Sequence, residues 1–510
     1  MRRTLPLATK TVAPLAAAAL LLTACTGQSS SGGDAGAGGT GKDKLVLGLT
    51  ADMSGWDPST APDYQAWGYE AAYDTLVKCN KNGSLAPAAA TSWEIGADKK
   101  SFTAHLRSDM KFSDGTPVTA QTVKESFTPL AKTASDRYGG IKFDIPDSRT
   151  VTITWPDPQP LMSVRTCSVE LVSAKYLASK SRNTAPVGSG PYTYDAKAST
   201  AGSVYVLRKN PDFYDAKKYP YKTLELRVLS SATAALSALK TGQIDGTVVT
   251  ADTYNEAKKT PNVNVMAIES GVTALMLTDR EGKKIPALKD LRVRKAMNMV
   301  FDRDLVAKKL YKGLASPTFQ FFNKNGAAYV KDAGAPYPYN VAEAKKLMKQ
   351  SGFEKGFTLT LPTMEGQAWT VLLPYVTQQL AELNIKVETK TLTGPDAITE
   401  LLSGDYPAPL WTVGAVANSV QDISIGVIQA GYWNVSHQPD ATVEKYWKTI
   451  VNGSTSESEA AQQAIGKYVL DNAWYVPLVN PQVFYAYTDS VRIPESTDPN
   501  DAHPILRDFK

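Results

Sequence analysis

Between Ser101 and Arg107 apolar and polar residues alternate without a break, with Phe102, Ala104 and Leu106 on one side and Thr103, His105 and Arg107 on the other. That period of two predicts a half-buried antiparallel strand. Val151 to Trp155 alternates in the same way, and Lys44 to Thr50 reads as a first strand. Helical spacing takes over elsewhere. Tyr69, Tyr73 and Leu76 predict a helix over Pro62–Lys78, and Thr119 is placed to cap a helix carrying Val123 and Phe127, just after a turn at Asp114-Gly115. Thr223 to Leu229 then reads as a strand, Ala232 to Lys240 as a helix closed by Gly242, and Ile244 to Val249 as another strand. Strand, helix and strand at this spacing favour a parallel sheet with a crossover helix.

The second half repeats the pattern. Pro286 opens a predicted helix in which Val293, Met297 and Val300 share a face, and Asp302 caps another. Asn340 with Glu343 makes a capping-box-like start, Leu347 and Met348 face inward, and Gly352 stops that helix. A strand over Phe357–Leu361, a helix over Gln367–Leu383 despite Pro374, and a strand over Ile385–Thr389 follow. Two α/β units thus flank a β-richer insertion, an arrangement whose usual consequence is a ligand cleft between lobes.

The N-terminus changes the picture. Arg2, Arg3 and Lys10 precede an uncharged, Ala/Leu-rich run from Thr11 to Ala24. It is shorter than the about 20 apolar residues of a spanning helix and has the length of a signal-peptide core. It ends in Leu22-Thr23-Ala24-Cys25, which resembles the lipobox of bacterial lipoproteins. The resemblance implies that residues 1–24 are a signal peptide and that Cys25 becomes a lipidated N-terminus. One acyl chain holds a protein only marginally, so at least a diacylglyceryl group is expected there. Residues 25–43 complete the anchor and a flexible tether of Gly, Ser, Ala, Thr and Asp. Gly36 to Lys42 imitates a phosphate-binding loop, but Asp43 follows where a Ser or Thr is needed, and no strand precedes it.

Removing the first 24 residues leaves 486, room for two or three domains, and lowers the formal charge from +5 to +2. That balance, with no basic run interleaved with aromatics, argues against nucleic acid. Cys79 and Cys167 are the cysteines left beside Cys25, and outside the cytoplasm they can be bonded or free. Catalytic sets do not assemble. His105, His437 and His503 stand far apart, and no Gly-x-Ser-x-Gly elbow exists. Ser237-Ala-Leu-Lys240 and Lys240-Thr-Gly242 match two motifs of penicillin-interacting enzymes, yet share Lys240, which would have to fill both roles. The chain is therefore expected not to be an enzyme and to need neither cofactor nor metal.

Several stretches, in one collinear order, resemble the peptide class, or family 5, of the extracellular solute-binding proteins that feed ABC importers. They are Leu85-Ala-Pro-Ala-Ala-Ala-Thr-Ser-Trp93, Phe102 to Arg107, and Lys111-Phe-Ser-Asp-Gly-Thr-Pro-Val-Thr119. Pro186-Val-Gly-Ser-Gly-Pro-Tyr192, Asn210-Pro-Asp-Phe-Tyr214, Gly242-Gln-Ile-Asp245, Pro286 to Ala296 and Asp302-Arg303 complete the set. The resemblance implies an α/β, two-lobed periplasmic-binding-protein-like fold, type II and cluster C-like, with an extra β-rich subdomain in the first lobe. Residues 44–78, 187–275 and 480–510 would form lobe I, 79–186 the inserted subdomain, and 276–479 lobe II. It further implies hinge closure over a small-molecule or peptide ligand, ABC permease and ATPase partners, a monomer, and a place on the outer face of the cytoplasmic membrane.

Aromatic walls with a few placed polar groups suit such a cleft. Trp56, after the first strand, and Trp369, Trp411 and Trp433 in the second half are the candidate walls. Peptide-binding members typically carry an Ala-Asp-Tyr segment whose aspartate meets the ligand's α-ammonium. Here the best match is Ala417-Asn418-Ser419, followed by Asp422. A buried ammonium without a counter-charge is costly. Either Asp422 substitutes, or the ligand is not an ordinary peptide with a free N-terminus. Two other classes stay open: a lipoprotein hydrolase, and a sensor that binds without transport.

Overall fold

The computed structural model describes residues 43–53, 55–58, 66–80, 84–180, 182–364, 368–393, 396–414, 418–494 and 504–510. The signal peptide, Cys25, most of the tether, the imitation phosphate loop, Ala417 and His503 lie outside them.

The largest sheet has ten strands among the described residues. Its order runs Leu410–Val413, Val272–Met276, Tyr475–Thr488, Gly246–Val249, Lys44–Leu49, Thr223–Val228, Val204–Lys209 and Tyr192–Tyr194, with Val263–Glu269 and Ala315–Pro317 also paired to Tyr475–Thr488. Lys44–Leu49 is parallel to both Thr223–Val228 and Gly246–Val249, so the crossover read from the sequence is real. Its helix, Ala232–Lys240, is capped by Ser231, which accepts from the Ala234 amide. Asp245, buried, accepts from the Val46 amide at 2.8 Å and ties the crossover back to the first strand.

The insertion is a four-stranded antiparallel sheet in the order Ala90–Ile95, Ser101–Leu106, Thr150–Thr154, Lys142–Asp147. Phe102, Ala104, Val151 and Ile153 are buried with Val123 and Phe127 of the helix Ala120–Phe127, whose Thr119 forms a capping box with Thr122. Cys79 and Cys167 are disulfide-bonded, Cα atoms 5.6 Å apart, joining the strand Val77–Cys79 to the helix Met162–Cys167.

Three expected boundaries move. The first helix occupies Ala66–Ala72, and a strand at Val77–Cys79 replaces its predicted last turn. Gly190 donates to the Ala72 carbonyl at 3.0 Å, and a β-carbon on Gly188 would lie 1.9 Å from that oxygen, so a distant loop occupies the space the helix would need. Pro286 opens a short 3-10 turn, Pro286–Lys289, and the helix starts at Leu291 because Asp290 caps it through the Arg292 amide. The helix across Pro374 divides into a 3-10 turn, Ala368–Leu372, and a helix, Leu373–Ala381, that takes the proline in its first turn, where a missing N–H costs nothing.

Buried charge fastens the second half. Arg303 donates to the carbonyls of Pro477 (2.7 Å), Thr318 (3.0 Å) and Asn298 (3.1 Å), and burial holds its guanidinium down to about 9. Asp279, also buried, accepts from the amides of Lys283, Lys284 and Ile285 and from the Gln438 side chain.

Candidate functional site

The site is organised by one junction. Val263–Glu269 packs against the core that holds Val46, Leu239 and Phe484, whereas Val272–Met276 contributes to the cores around Leu277, Val293, Phe321 and Ile465. The two strands are separated by Ser270-Gly271, and both pair antiparallel with the 14-residue strand Tyr475–Thr488. The Ser270 amide donates to the Pro481 carbonyl at 2.9 Å, and the Asn480 side chain to the Gly271 carbonyl at 2.8 Å. Next to the junction, Leu410–Val413 pairs with Val272–Leu275, and the hydroxyls of Thr273 and Thr412 meet at 2.7 Å.

From that edge strand an aromatic row leads outward. The Trp411 ring lies 5.3 Å from Trp369 and 5.4 Å from Trp433, and Trp433 lies 5.8 Å from Tyr432. Trp369 is 1% exposed and Tyr432 45%, so the row climbs from core to solvent. Tilted ring pairs at these distances hold one another in place while leaving ring surface at the outer end. Leu392, Leu401 and Tyr406 pack beneath, with the Tyr406 hydroxyl donating to Glu400 at 2.8 Å. Tyr432 is not among the residues the sequence points to, although its position beside Trp433 is the available signal.

Of the other candidates, Asn418 spends its side-chain oxygen on the Val420 amide, capping the helical turn Ser419–Asp422. Asp422 is 0% exposed and lies close enough to Tyr475 to raise the phenol's pKa further, on top of burial. Trp56 is 1% exposed, enclosed by Tyr69, Tyr194 and Tyr205 with ring centres 5.3–6.2 Å away. The structure therefore joins Trp369, Trp411 and Trp433 and places Trp56 and Asp422 in the interior of two different cores. The Ser237–Gly242 segment is a helix end: Lys240 pairs with Glu256 at 2.7 Å and the Thr241 hydroxyl bonds the Ser237 carbonyl. Among the described residues no three His, Cys, Asp or Glu side chains are grouped to hold a metal ion.

A cavity of about 360 Å³ opens between the helix Ala66–Ala72 and the helices of the insertion. Its polar lining includes Asp57, Ser126, Arg137, Ser168 and Glu170, with the hydroxyls of Tyr69 and Tyr138. Desolvation pushes the Glu170 carboxyl up to about 7.

Residues 84–449 match the family described as bacterial extracellular solute-binding proteins, family 5. The chain belongs to that family. This family-5 protein is 26% identical over 491 residues, 88% of its length and 91% of the relative's, to the probable D,D-dipeptide-binding periplasmic protein of Escherichia coli K12. Its fold matches the ABC transporter substrate-binding protein CtaP of Listeria monocytogenes, with TM-score 0.76 and 23% identity over 92% of this chain and 99% of that one. It also matches AgaA of A. tumefaciens, solved with agropinic acid, with TM-score 0.74 and 22% identity over 92% and 98%. The two-lobed periplasmic-binding-protein fold implied by the sequence is thus the fold of the protein. Among the described residues no helix is long and apolar enough to cross a membrane.

Proposed function

We propose that this family-5 protein is the solute receptor of an ABC importer, acting as a monomer held at Cys25 on the outer face of the cytoplasmic membrane. It captures a peptide or peptide-like solute in a cleft between lobes and hands it, closed, to the permease and ATPase subunits. The carrying observation is the junction at Ser270-Gly271, where the chain passes between cores beside Tyr475–Thr488. Two strands are a narrow connection, and bending at a few residues lets two rigid bodies approach. A ligand touching both bodies stabilises the closed form and shifts the population toward it. The aromatic row Trp369–Trp411–Trp433, fastened beside that junction, supplies a wall for the ligand. The relatives named for dipeptides and peptides support a peptide-like cargo. The Cys25→Ala form is expected in the soluble fraction, and retention on the membrane would remove the anchor. Mass spectrometry of solute released from the purified protein identifies the cargo. Small-angle scattering is expected to show contraction on adding it, and an unchanged radius of gyration would sink hinge closure.

A further inference from the structure

One lysine of the inserted sheet reaches into the second half of the chain. Lys99 sits in the turn between the strands Ala90–Ile95 and Ser101–Leu106. Its ammonium donates to the carbonyls of Val451 (3.1 Å) and Gly453 (2.5 Å), at the end of the helix Ala441–Asn452. The turn holds the residue by both backbone groups: its amide donates to the Gly96 carbonyl and its carbonyl accepts from the Gln159 amide, each at 2.8 Å. Its φ is +55°, a left-handed conformation uncommon for a residue with a side chain. The helix end lacks a cation of its own. Its last carbonyls have no partner within the helix and carry the negative end of the helix dipole. No residue of its last turn is basic. Gly453 gives its own amide to the Thr449 carbonyl at 2.8 Å, and Ser454 at once caps the next helix, Thr455–Asp471, with Glu457.

Two other ion pairs between the halves lie beside the crossing. Lys324 meets Glu269, the residue before Ser270, at 3.1 Å. Lys312 meets Asp252 at 3.2 Å, on the helix Ala251–Lys259 that packs against Val263–Glu269. A bend at Ser270-Gly271 moves such neighbours little. Lys99 is placed differently. Its sheet shares no strand with the ten-stranded sheet, and the helix it meets packs through Val443 and Ile450 into the core around Phe321 and Ile465. A rotation of one body against the other therefore joins or parts the lysine and the helix end. We propose that Lys99 is a latch, capping the helix Ala441–Asn452 when the lobes are closed and so favouring the closed form. The assignment rests on the reading of hinge closure. When the lobes part, the ammonium and the carbonyls both return to water, so the net gain is that of one cation at a helix end. That biases closure without preventing release of the cargo.

The test is the distance between nitroxide labels on Glu94→Cys and Lys445→Cys, exposed positions on the inserted sheet and on the helix. It is measured by pulsed electron resonance in the Cys25→Ala chain, as purified and after bound solute has been stripped by unfolding and refolding. The labels are read with Lys99 intact, with Lys99→Met, which keeps the stem and removes the charge, and with Lys99→Arg. A cation at a helix C-terminus is worth about two- to tenfold in an equilibrium. Lys99→Met is therefore expected to lower the ratio of short to long distances by that factor, and Lys99→Arg to restore part of it. Thermal unfolding checks that each variant is folded. Two distances whose ratio Lys99→Met leaves unchanged, or lowers no more than Lys99→Arg does, overturn the latch and leave hinge closure standing. A single distance, the same in every form, overturns both.

Discussion

Gly271 is pressed against the Val413 carbonyl: a β-carbon there would stand 2.2 Å from that oxygen, and the residue's φ of +147° is one that side chains resist. The close approach locks the crossing between cores to the edge strand that carries Trp411. Replacing Gly271 by Ala is expected to cost about 1–3 kcal/mol through overpacking and backbone strain. Chemical denaturation checks this, and a variant as stable as the wild type would show that the junction has slack.

The aromatic row separates folding from binding by depth. Trp369→Ala removes a fully enclosed ring and is expected to lose about 3–5 kcal/mol of stability. Trp433→Ala, nearer solvent, is expected to change stability far less and to weaken cargo binding by up to about tenfold, the scale of one aromatic contact. Denaturation and calorimetry on both variants test the division. It fails if the two variants lose stability alike.

Local chemistry makes much of the fold legible. The helix Ala232–Lys240 is readable to the residue because its cap, apolar stripe and closing glycine lie within a dozen positions. The first helix is overextended in the sequence reading for the opposite reason. Tyr73 and Leu76 have helical spacing, but Tyr73 packs in the core around Trp56 and Leu76 in that of the insertion, so their spacing records two cores. Trp56 stands after a strand like a cleft residue, and only the tertiary placement of Tyr69, Tyr194 and Tyr205 encloses it. Glu170 escapes the sequence reading, although a lone acid in Val169-Glu170-Leu171-Val172 is a signal in itself.

Glu170 and Glu70 make stability depend on pH in the less common direction. Burial holds each carboxyl up to about 7, against 4.5 when unfolded, so the folded protein binds more protons across that window. Stability is expected to fall as pH rises from about 4.5 to 7 through these two groups. Asp57, Arg137, Tyr69 and Tyr138 line the cavity with Glu170, while Lys78, Arg507 and Asp508 act on Glu70. Denaturation at pH 5, 6 and 8 is expected to show a shallower decline for Glu170→Gln; equal slopes would refute it.

The Cys79–Cys167 bond closes a loop with a sequence separation of 88 residues. Breaking it with Cys79→Ser and Cys167→Ser is expected to cost about 2–5 kcal/mol. The midpoint of thermal unfolding with and without reductant is the measurement, and no change would mean the loop is held by packing alone.

The strand Tyr475–Thr488 also sets an order of events. Lys44–Leu49 finds its neighbours at Thr223–Val228 and Gly246–Val249, and the next place in the sheet belongs to residues 484–487. Tyr485 and Phe509 fill the core around Trp67, whose indole donates to the Pro504 carbonyl, and Glu70 accepts from the Leu506 amide. The core around Trp67 and the sheet beside it are begun by early residues and completed by late ones. A ribosome releasing the chain from its N-terminus would hold that core open until nearly all of the polypeptide had emerged, so the last residues to be made close what the first ones began.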